Sequence, residues 1–381
     1  MSTNFQQLDL FTREAEEFPS FLSEQIITYI GNKRALLGFL SKAIYVVQAE
    51  LGKEKLDLAD VFSGSGVVSR YFKRFASSLY VNDQERYCHT INTCYLANRS
   101  EIDMGALRQT YSALLDHLAD DHLSGGFISE LYAPRDDKNI QAGERVFYTT
   151  RNAKYIDTAR QLIGKVDSKI QPFFLAPLLY ESSVHNNTSG VFKGFYKNSE
   201  TGIGQFGGNG RNALKRILAD ISLPFPVFSR FECDVHVFQM NANNLWKSIP
   251  LVDLAYLDPP YNQHPYGSNY FMLNLIDSYK RPGKISGVSG IPEGWNKSKY
   301  NVRGEAKSSL FDLCRRIPAR YLLISFNSDG FIGSEEMVGM LEAIGRVRTL
   351  ETSYNTFRGS RNLSGRDMHV TEFLYLVRKN V

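Results

Sequence analysis

Apolar positions recur at helical spacing through Ile30, Leu36, Leu37, Leu40, Ile44 and Val47, interrupted early by Gly31-Asn32. The run LDLADVF (56–62) then reads as a short buried strand, and Ser63-Gly64-Ser65-Gly66 follows at once. Helical spacing returns in VVSRYFKRFA (67–76). A second strand is predicted over SSLYVND (77–83), which ends in an acid, and a helix over 85–97. Strand, glycine turn, helix, strand, acid is the order of a nucleotide-binding βαβ unit.

The pattern changes from about 101 to 230. Helices are predicted near 102–122, 151–165 and 171–185, followed by a segment rich in Gly, Asn and Lys over 186–210. Strand patterning resumes at 231–240 and at LVDLAYL (251–257), which runs into Asp258-Pro259-Pro260-Tyr261. YLLISFN (321–327) is a further buried strand. Ser334 is a candidate cap for a helix reaching Ile344, and 346–354 and 371–379 are placed as a terminal antiparallel pair. The chain therefore reads as α/β, a Rossmann-like sheet with helices on both faces, split in sequence by an inserted, mainly helical segment.

Composition narrows the class without deciding it. At 381 residues, 43% hydrophobic and 22% charged, the chain is long enough for more than one core and too apolar for disorder. A net charge of +4 does not by itself argue for nucleic acid. Cys88, Cys94, Cys233 and Cys314 are scattered and form no CxxC pair, so no metal site is expected. Residues 1–24 read as a polar leader without a signal peptide's apolar core. No apolar run approaches the roughly 18 residues of a membrane span. A cytoplasmic protein with no membrane partner is expected.

Two constellations carry chemistry. In Asp60-Val61-Phe62-Ser63-Gly64-Ser65-Gly66, glycines after a buried strand allow a tight turn and close approach of backbone to a ligand. The third glycine of the dinucleotide fingerprint is missing, which argues against a pyrophosphate. Asp83 can accept hydrogen bonds from ribose hydroxyls, so an adenosine ligand without phosphates fits. In Asp258-Pro259-Pro260-Tyr261 the prolines stiffen a turn and leave carbonyls free. Asp258 and a neighbouring carbonyl make a fixed pair of acceptors for an NH2 group, with Tyr261 as a flat aromatic face. Holding both amine hydrogens favours a nitrogen whose lone pair can attack the methyl carbon of S-adenosylmethionine by positioning and electrostatics. A base paired in a duplex must first rotate out.

These residues together resemble the alpha-class, Dam-like adenine-N6 DNA methyltransferases, including the modification methylases of type II restriction systems. Tyr29-Ile30-Gly31-Asn32-Lys33 resembles the family's N-terminal cofactor motif, and the motif order matches as well. The resemblance implies that Tyr29 and Lys33 hold the methionine end of the cofactor, with Asp60, Phe62, Gly64 and Gly66 beneath it and Asp83 at the ribose. The family often has an Asp near the cofactor's adenine; here Asn241 or Asn243 stands in that stretch. Tyr266, Asn269 and Tyr270 resemble a wall of the target-base pocket or a backbone contact. His264 reads as a loop histidine rather than a base.

The insertion supplies the DNA argument. Over 186–217, Lys193, Lys197, Arg211, Lys215 and Arg216 face a single acid, Glu200, with Phe192, Phe195, Tyr196 and Phe206 interleaved. Gly190-Val191-Phe192 resembles the family's recognition hairpin. Cations there can grip phosphates while a Gly/Asn loop enters a groove. Residues 279–303 carry +5 and 352–379 carry +3, so with +4 in 186–217 the rest of the chain is at −8. The resemblance implies a discontinuous catalytic domain (1–100 and 231–381) and a target-recognition domain (101–230). It also implies double-stranded DNA as substrate and a cognate restriction endonuclease as a possible partner. Cytosine-N4 methylation, or a catalytically silent DNA-binding protein on the same scaffold, are the alternatives.

Overall fold

The short apolar runs become the middle of a sheet. The computed structural model describes residues 16–208, 210, 213–355 and 369–380. Its strands are β1 (Leu56–Asp60), β2 (Ala76–Asp83), β3 (Asp234–Gln239), β4 (Val252–Leu257), β5 (Ala319–Asn327), β6 (Gly345–Asn355) and β7 (His369–Lys379). They lie in the order β3-β2-β1-β4-β5-β7-β6. Neighbours are parallel except β7, which runs antiparallel to β5 and β6. All six residues of β4 are buried, as a central strand covered on both faces requires.

Thirteen α-helices surround this sheet among the described residues: α1 (Pro19–Ser23), α2 (Leu37–Leu51), α3 (Val67–Phe72), α4 (Arg86–Tyr95), α5 (Met104–Asp116), α6 (Phe127–Tyr132), α7 (Thr150–Ile163), α8 (Gln171–Val184), α9 (Leu214–Leu218), α10 (Tyr266–Asn269), α11 (Phe271–Ser278), α12 (Arg303–Arg316) and α13 (Ser334–Glu342). The two-residue period of the strands separates two cores. Leu58, Leu254, Tyr256 and Leu323 pack with α2 and α3, whereas Ala59, Ala255, Leu257 and Leu322 pack with α12 and α13. A third core joins α5, α6, α7 and α8 to Tyr87 and Ile91 of α4 and to Phe271 and Ile276 of α11. The inserted helices thus share their apolar interior with two helices that flank the sheet.

Three local expectations change. The chain from 26 to 33 is not helical, because Gly31 takes a left-handed φ of 76° and α2 starts only at Leu37. Gly333, not Ser334, is the N-cap of α13, and the Ser334 hydroxyl instead accepts from Tyr375 at 3.0 Å. The described part of the leader belongs to the fold. Phe21 is fully buried, and the Arg70 guanidinium donates to the carbonyls of Phe21, Glu24 and Gln25 while lying 3.8 Å from the Tyr95 ring centroid. Among the described residues no helix is long and apolar enough to cross a membrane.

Candidate active site

The order of strands reverses between β1 and β4, and side chains at their carboxyl ends open into the crevice that such a reversal creates. This brings the loop after Asp60 beside Asp258, and Val61 N–H bonds the Tyr256 carbonyl at 3.0 Å. Gly64 and Gly66 have φ of 50° and 77°, a region that favours glycine. Their lack of a side chain serves the protein's own packing. A Cβ on Gly64 would lie 2.8 Å from the Tyr29 ring, and one on Gly66 2.6 Å from Asn92 Oδ1.

Asp60 is buried and accepts from the Ser69 hydroxyl at 2.5 Å. Asp83 receives Gly64 N–H on one oxygen and Glu85 N–H on the other, both at 2.8 Å, so β2 ends in a fixed carboxylate. Glu85 follows it into the cavity and accepts from Asn274 at 2.5 Å and Asn296 at 3.2 Å. Burial pushes Asp60, Glu85 and Asp258 each up to about 7, and raises Asp83 as well. The cause is shared. A narrow site holds several acids away from water.

One cation sits among them. Lys33 is 2% exposed, with Nζ 3.3 Å from Asp258 Oδ1 and 2.8 Å from Glu372 Oε1. Burial works against its charge, but the two carboxylates outweigh it and hold the ammonium well above the ordinary lysine value. The Tyr261 ring lies 5.7 Å from Lys33 Nζ and packs edge-on to Phe326. Asp258 and Pro260 line the cavity, while Pro259 is buried behind them.

A tyrosine stack forms the opposite wall. Tyr29, Tyr266 and Tyr270 form a triangle of rings, Tyr29 lying 5.0 and 4.8 Å from the other two and those 6.0 Å from each other between centroids. Tyr266 lines the cavity and donates to the Ile30 carbonyl at 3.2 Å. Tyr270 and Asn269, expected as base-pocket or backbone contacts, do not line the cavity. Tyr270 is fully buried and its hydroxyl receives Ile30 N–H at 2.7 Å; Asn269 is 2% exposed and its carbonyl receives Phe192 N–H at 2.7 Å. Both hold the wall from behind, because Ile30 and Phe192 need anchors for irregular backbone.

Asn241 and Asn243 both border the cavity. Asn241 caps the following turn, accepting from Asn243 N–H at 2.9 Å. The Asn243 side chain is held by Tyr300, Ser309 and Asp312. Asp312, on α12, is a cavity carboxylate the sequence pattern did not single out. Its amide contact from Asn243 and the Arg316 guanidinium keep it below the usual carboxylate range. The missed signal in Glu372 was legible: an acid in phase with the core residues Leu374 and Leu376 of one strand.

The insertion's cations divide by role. Lys193 is exposed and Lys197 half-buried, its Nζ 5.2 Å from the Phe195 ring centroid. Burial, and then the charge of Lys193, lower the pKa of His264, so this loop lies near the chain that follows the Asp-Pro-Pro-Tyr turn. Arg216 instead donates to the carbonyls of Val184, Asn186 and Thr188, and Phe192 is 1% exposed among Phe147, Tyr148 and Phe271. These two shape the loop rather than face a ligand. Arg211, Arg358, Arg361 and Arg366 lie outside the described residues. Lys379 is committed to the carbonyls of Arg315 and Ile317.

The resulting cavity has a volume of about 420 Å³, within the usual range for a small-molecule site. Asp60, Asp83, Glu85, Asp258 and Asp312 line it against Lys33 and Lys299. That balance disfavours phosphates and suits a cationic nucleoside. Residues 29–312 match the family model of D12 class N6 adenine-specific DNA methyltransferases, a span that contains every residue lining this crevice. The chain belongs to that family. It is 28% identical to type II methyltransferase M.NlaIII of Neisseria lactamica over 93% of this chain and 99% of that one. It is likewise 28% identical to type II methyltransferase M.CviAII of Paramecium bursaria Chlorella virus 1, over 92% and 98% of the two chains. Modification methylase StsI of Streptococcus sanguinis is 27% identical over 92% of this chain and 52% of its own length. Membership makes the chain an adenine-specific DNA methyltransferase, not a cytosine-N4 one.

Proposed function

We propose that the crevice binds S-adenosylmethionine and a flipped adenine side by side, and that the chain modifies a short duplex sequence as the methylase of a restriction-modification system. The observation that carries the cofactor reading is the charge of the cavity. Five carboxylates with one buried and one peripheral lysine favour a ligand bearing sulfonium and ammonium charges. When bound, the cofactor supplies an electrophilic methyl group on sulfur.

The protein's own groups do the rest. Asp83 and Glu85 are placed to accept from ribose hydroxyls, and Asp60 to face an ammonium. The Asn243–Asp312 pair offers acceptors for an exocyclic amine at the cofactor's adenine. Asp258 and the carbonyl of Pro259 hold the hydrogens of the target amine, so its lone pair points along the line of attack. After transfer, the extra proton on nitrogen leaves to Asp258 or to water. Tyr261 and Tyr266 form the aromatic sides of the base pocket. Lys193 and Lys197, on the loop pinned to Asn269, hold DNA phosphates near its mouth. Residues 101–230 serve as target-recognition unit, and residues 1–100 and 231–381 as catalytic unit. A cognate endonuclease cutting the same sequence in the cytoplasm completes the system.

Sequencing of modified bases in DNA from cells expressing the chain tests this reading. N6-methyladenine at one short sequence, with protection of that sequence from cleavage, is expected. Methylation without sequence preference would overturn the restriction-modification role. Calorimetry with S-adenosylmethionine tests the cofactor separately; absence of binding would overturn the assignment of the acidic cavity.

A further inference from the structure

The family match ends at residue 312, and the strand that closes the floor beneath Lys33 lies beyond it. On β7, Glu372 pairs in register with Asn327 of β5 and is fully buried. Its carboxylate accepts from the Ser325 hydroxyl and forms an ion pair with the Lys33 ammonium at 2.8 Å. The same ammonium is 3.3 Å from Asp258 Oδ1. Glu372 is not part of the cavity wall. It bears on the reacting atoms through the Lys33 ammonium it shares with Asp258 and through its charge on that carboxylate.

We propose that Glu372 is a positioning residue for methyl transfer: it draws the Lys33 ammonium toward β7, so that Asp258 keeps its acceptor strength for the target amine instead of forming a closed ion pair. The inference rests on the adenine methyltransferase reading, with Asp258 as the amine's acceptor. A buried lysine and aspartate alone would neutralise each other. When Asp258 is ionised, a second carboxylate on the far side makes a −, +, − row, with the shorter contact on the Glu372 side. The amine's hydrogens then meet an acceptor that is not already saturated. The groups bearing on Asp258 are Lys33 from the chain before α2, Glu372 from β7, Asp60 from β1, Tyr256 from β4, and Tyr261 and Tyr266 beyond the turn. Burial raises all three tyrosines, so they stay neutral near pH 7. Asp60 is the group of this set that titrates in the same range as Asp258.

The test is methyl transfer to duplex DNA by the full chain across pH, with wild type as the reference. Failure of wild type to methylate would refute the enzyme reading itself; the outcomes below concern Glu372 alone. In Glu372→Gln the expected result is a fall in kcat of about tenfold or more, with cofactor Kd and KM for DNA within about twofold. Its acid limb moves to lower pH, because Lys33 then bears on Asp258 without a counter-charge. In the double variant Lys33→Met with Glu372→Gln, which removes the pair as a neutral unit, the limb moves to higher pH. Unchanged kcat, an unmoved limb, or a loss confined to cofactor affinity in Glu372→Gln would overturn the proposal. If that variant does not fold, the double variant decides alone: a limb at or below the wild-type position overturns it, and a raised limb supports it.

Discussion

The crevice and the Gly/Asn-rich loop beside it use charge in opposite ways. In the crevice Asp60, Glu85 and Asp258 are pushed toward neutral pH by desolvation and Asp83 is fixed by backbone N–H groups, while Asp312 stays below the usual carboxylate range. On the loop the charge is basic and Lys193 stands in water, while the aromatic Phe192 is the fixed element. A desolvated charge is specific because its geometry cannot relax. An exposed one acts through long-range attraction and tolerates displacement. The two kinds of charge thus fall on different regions of the molecule.

The largest way to sharpen that contrast is Asp258→Ala. Loss of this acceptor is expected to cut kcat by about 10²–10³-fold, a magnitude typical of removing one preorganised polar group from a transition state. Melting temperature and DNA affinity should stay near wild type. Comparable activity in this variant would break the division of labour at its centre. The loop's counterpart is Phe192→Ala, expected to cost about 3–5 kcal/mol of stability by emptying a site among Phe147, Tyr148 and Phe271. Denaturant unfolding measures it; a cost below about 1 kcal/mol would show that the ring is not an anchor.

A smaller effect follows from titration. The folded pKa values of Asp60, Glu85 and Asp258, about 7, lie above their ordinary ones. Ionisation is therefore lost as pH falls through about 7, and kcat/KM for the cofactor should show an acid limb there. A bound cation favours the ionised forms, so binding at pH 7 releases protons, visible as a dependence of calorimetric enthalpy on the buffer. Binding without proton release would mean these carboxylates are already ionised in the free enzyme.

The smallest effects belong to the loop's exposed cations. Lys193→Ala with Lys197→Ala should weaken DNA binding several-fold and flatten the log–log salt dependence by about 0.9 for each phosphate no longer neutralised, leaving kcat intact. Arg216→Ala, whose cation already serves three carbonyls, should lower stability without changing the salt slope. A changed slope for Arg216 and none for the lysines would reverse the assignment of roles within the loop.

Much of the scaffold was legible because the central strands of the sheet are short apolar runs with their own boundary signals. LVDLAYL (251–257) ends at Asp258-Pro259, and the run 77–83 ends at Asp83. The two terminal strands paired as their alternation suggested, Arg346 opposite Arg378 and Val347 opposite Val377. What alternation could not show is the neighbour of each strand. β7 inserts between β5 and β6, and only that placement carries Glu372 to Lys33 across more than three hundred residues of chain. Tyr270 illustrates the converse. A tyrosine near a catalytic turn has the same sequence appearance whether its ring faces a ligand or, as here, packs on Tyr29 and receives Ile30 N–H.

The sequence by itself determined the local elements, the order of the motifs and the residue types able to do amine chemistry, because period, turn residues and side-chain reactivity are properties of short segments. Tertiary structure alone decided which charges are desolvated and what each one faces. Lys33, Asp258 and Glu372 are three ordinary ionic residues along the chain; burial together within 3.3 Å makes them a coupled set. That coupling depends on distance and on exclusion of water, and neither is fixed until the sheet has closed.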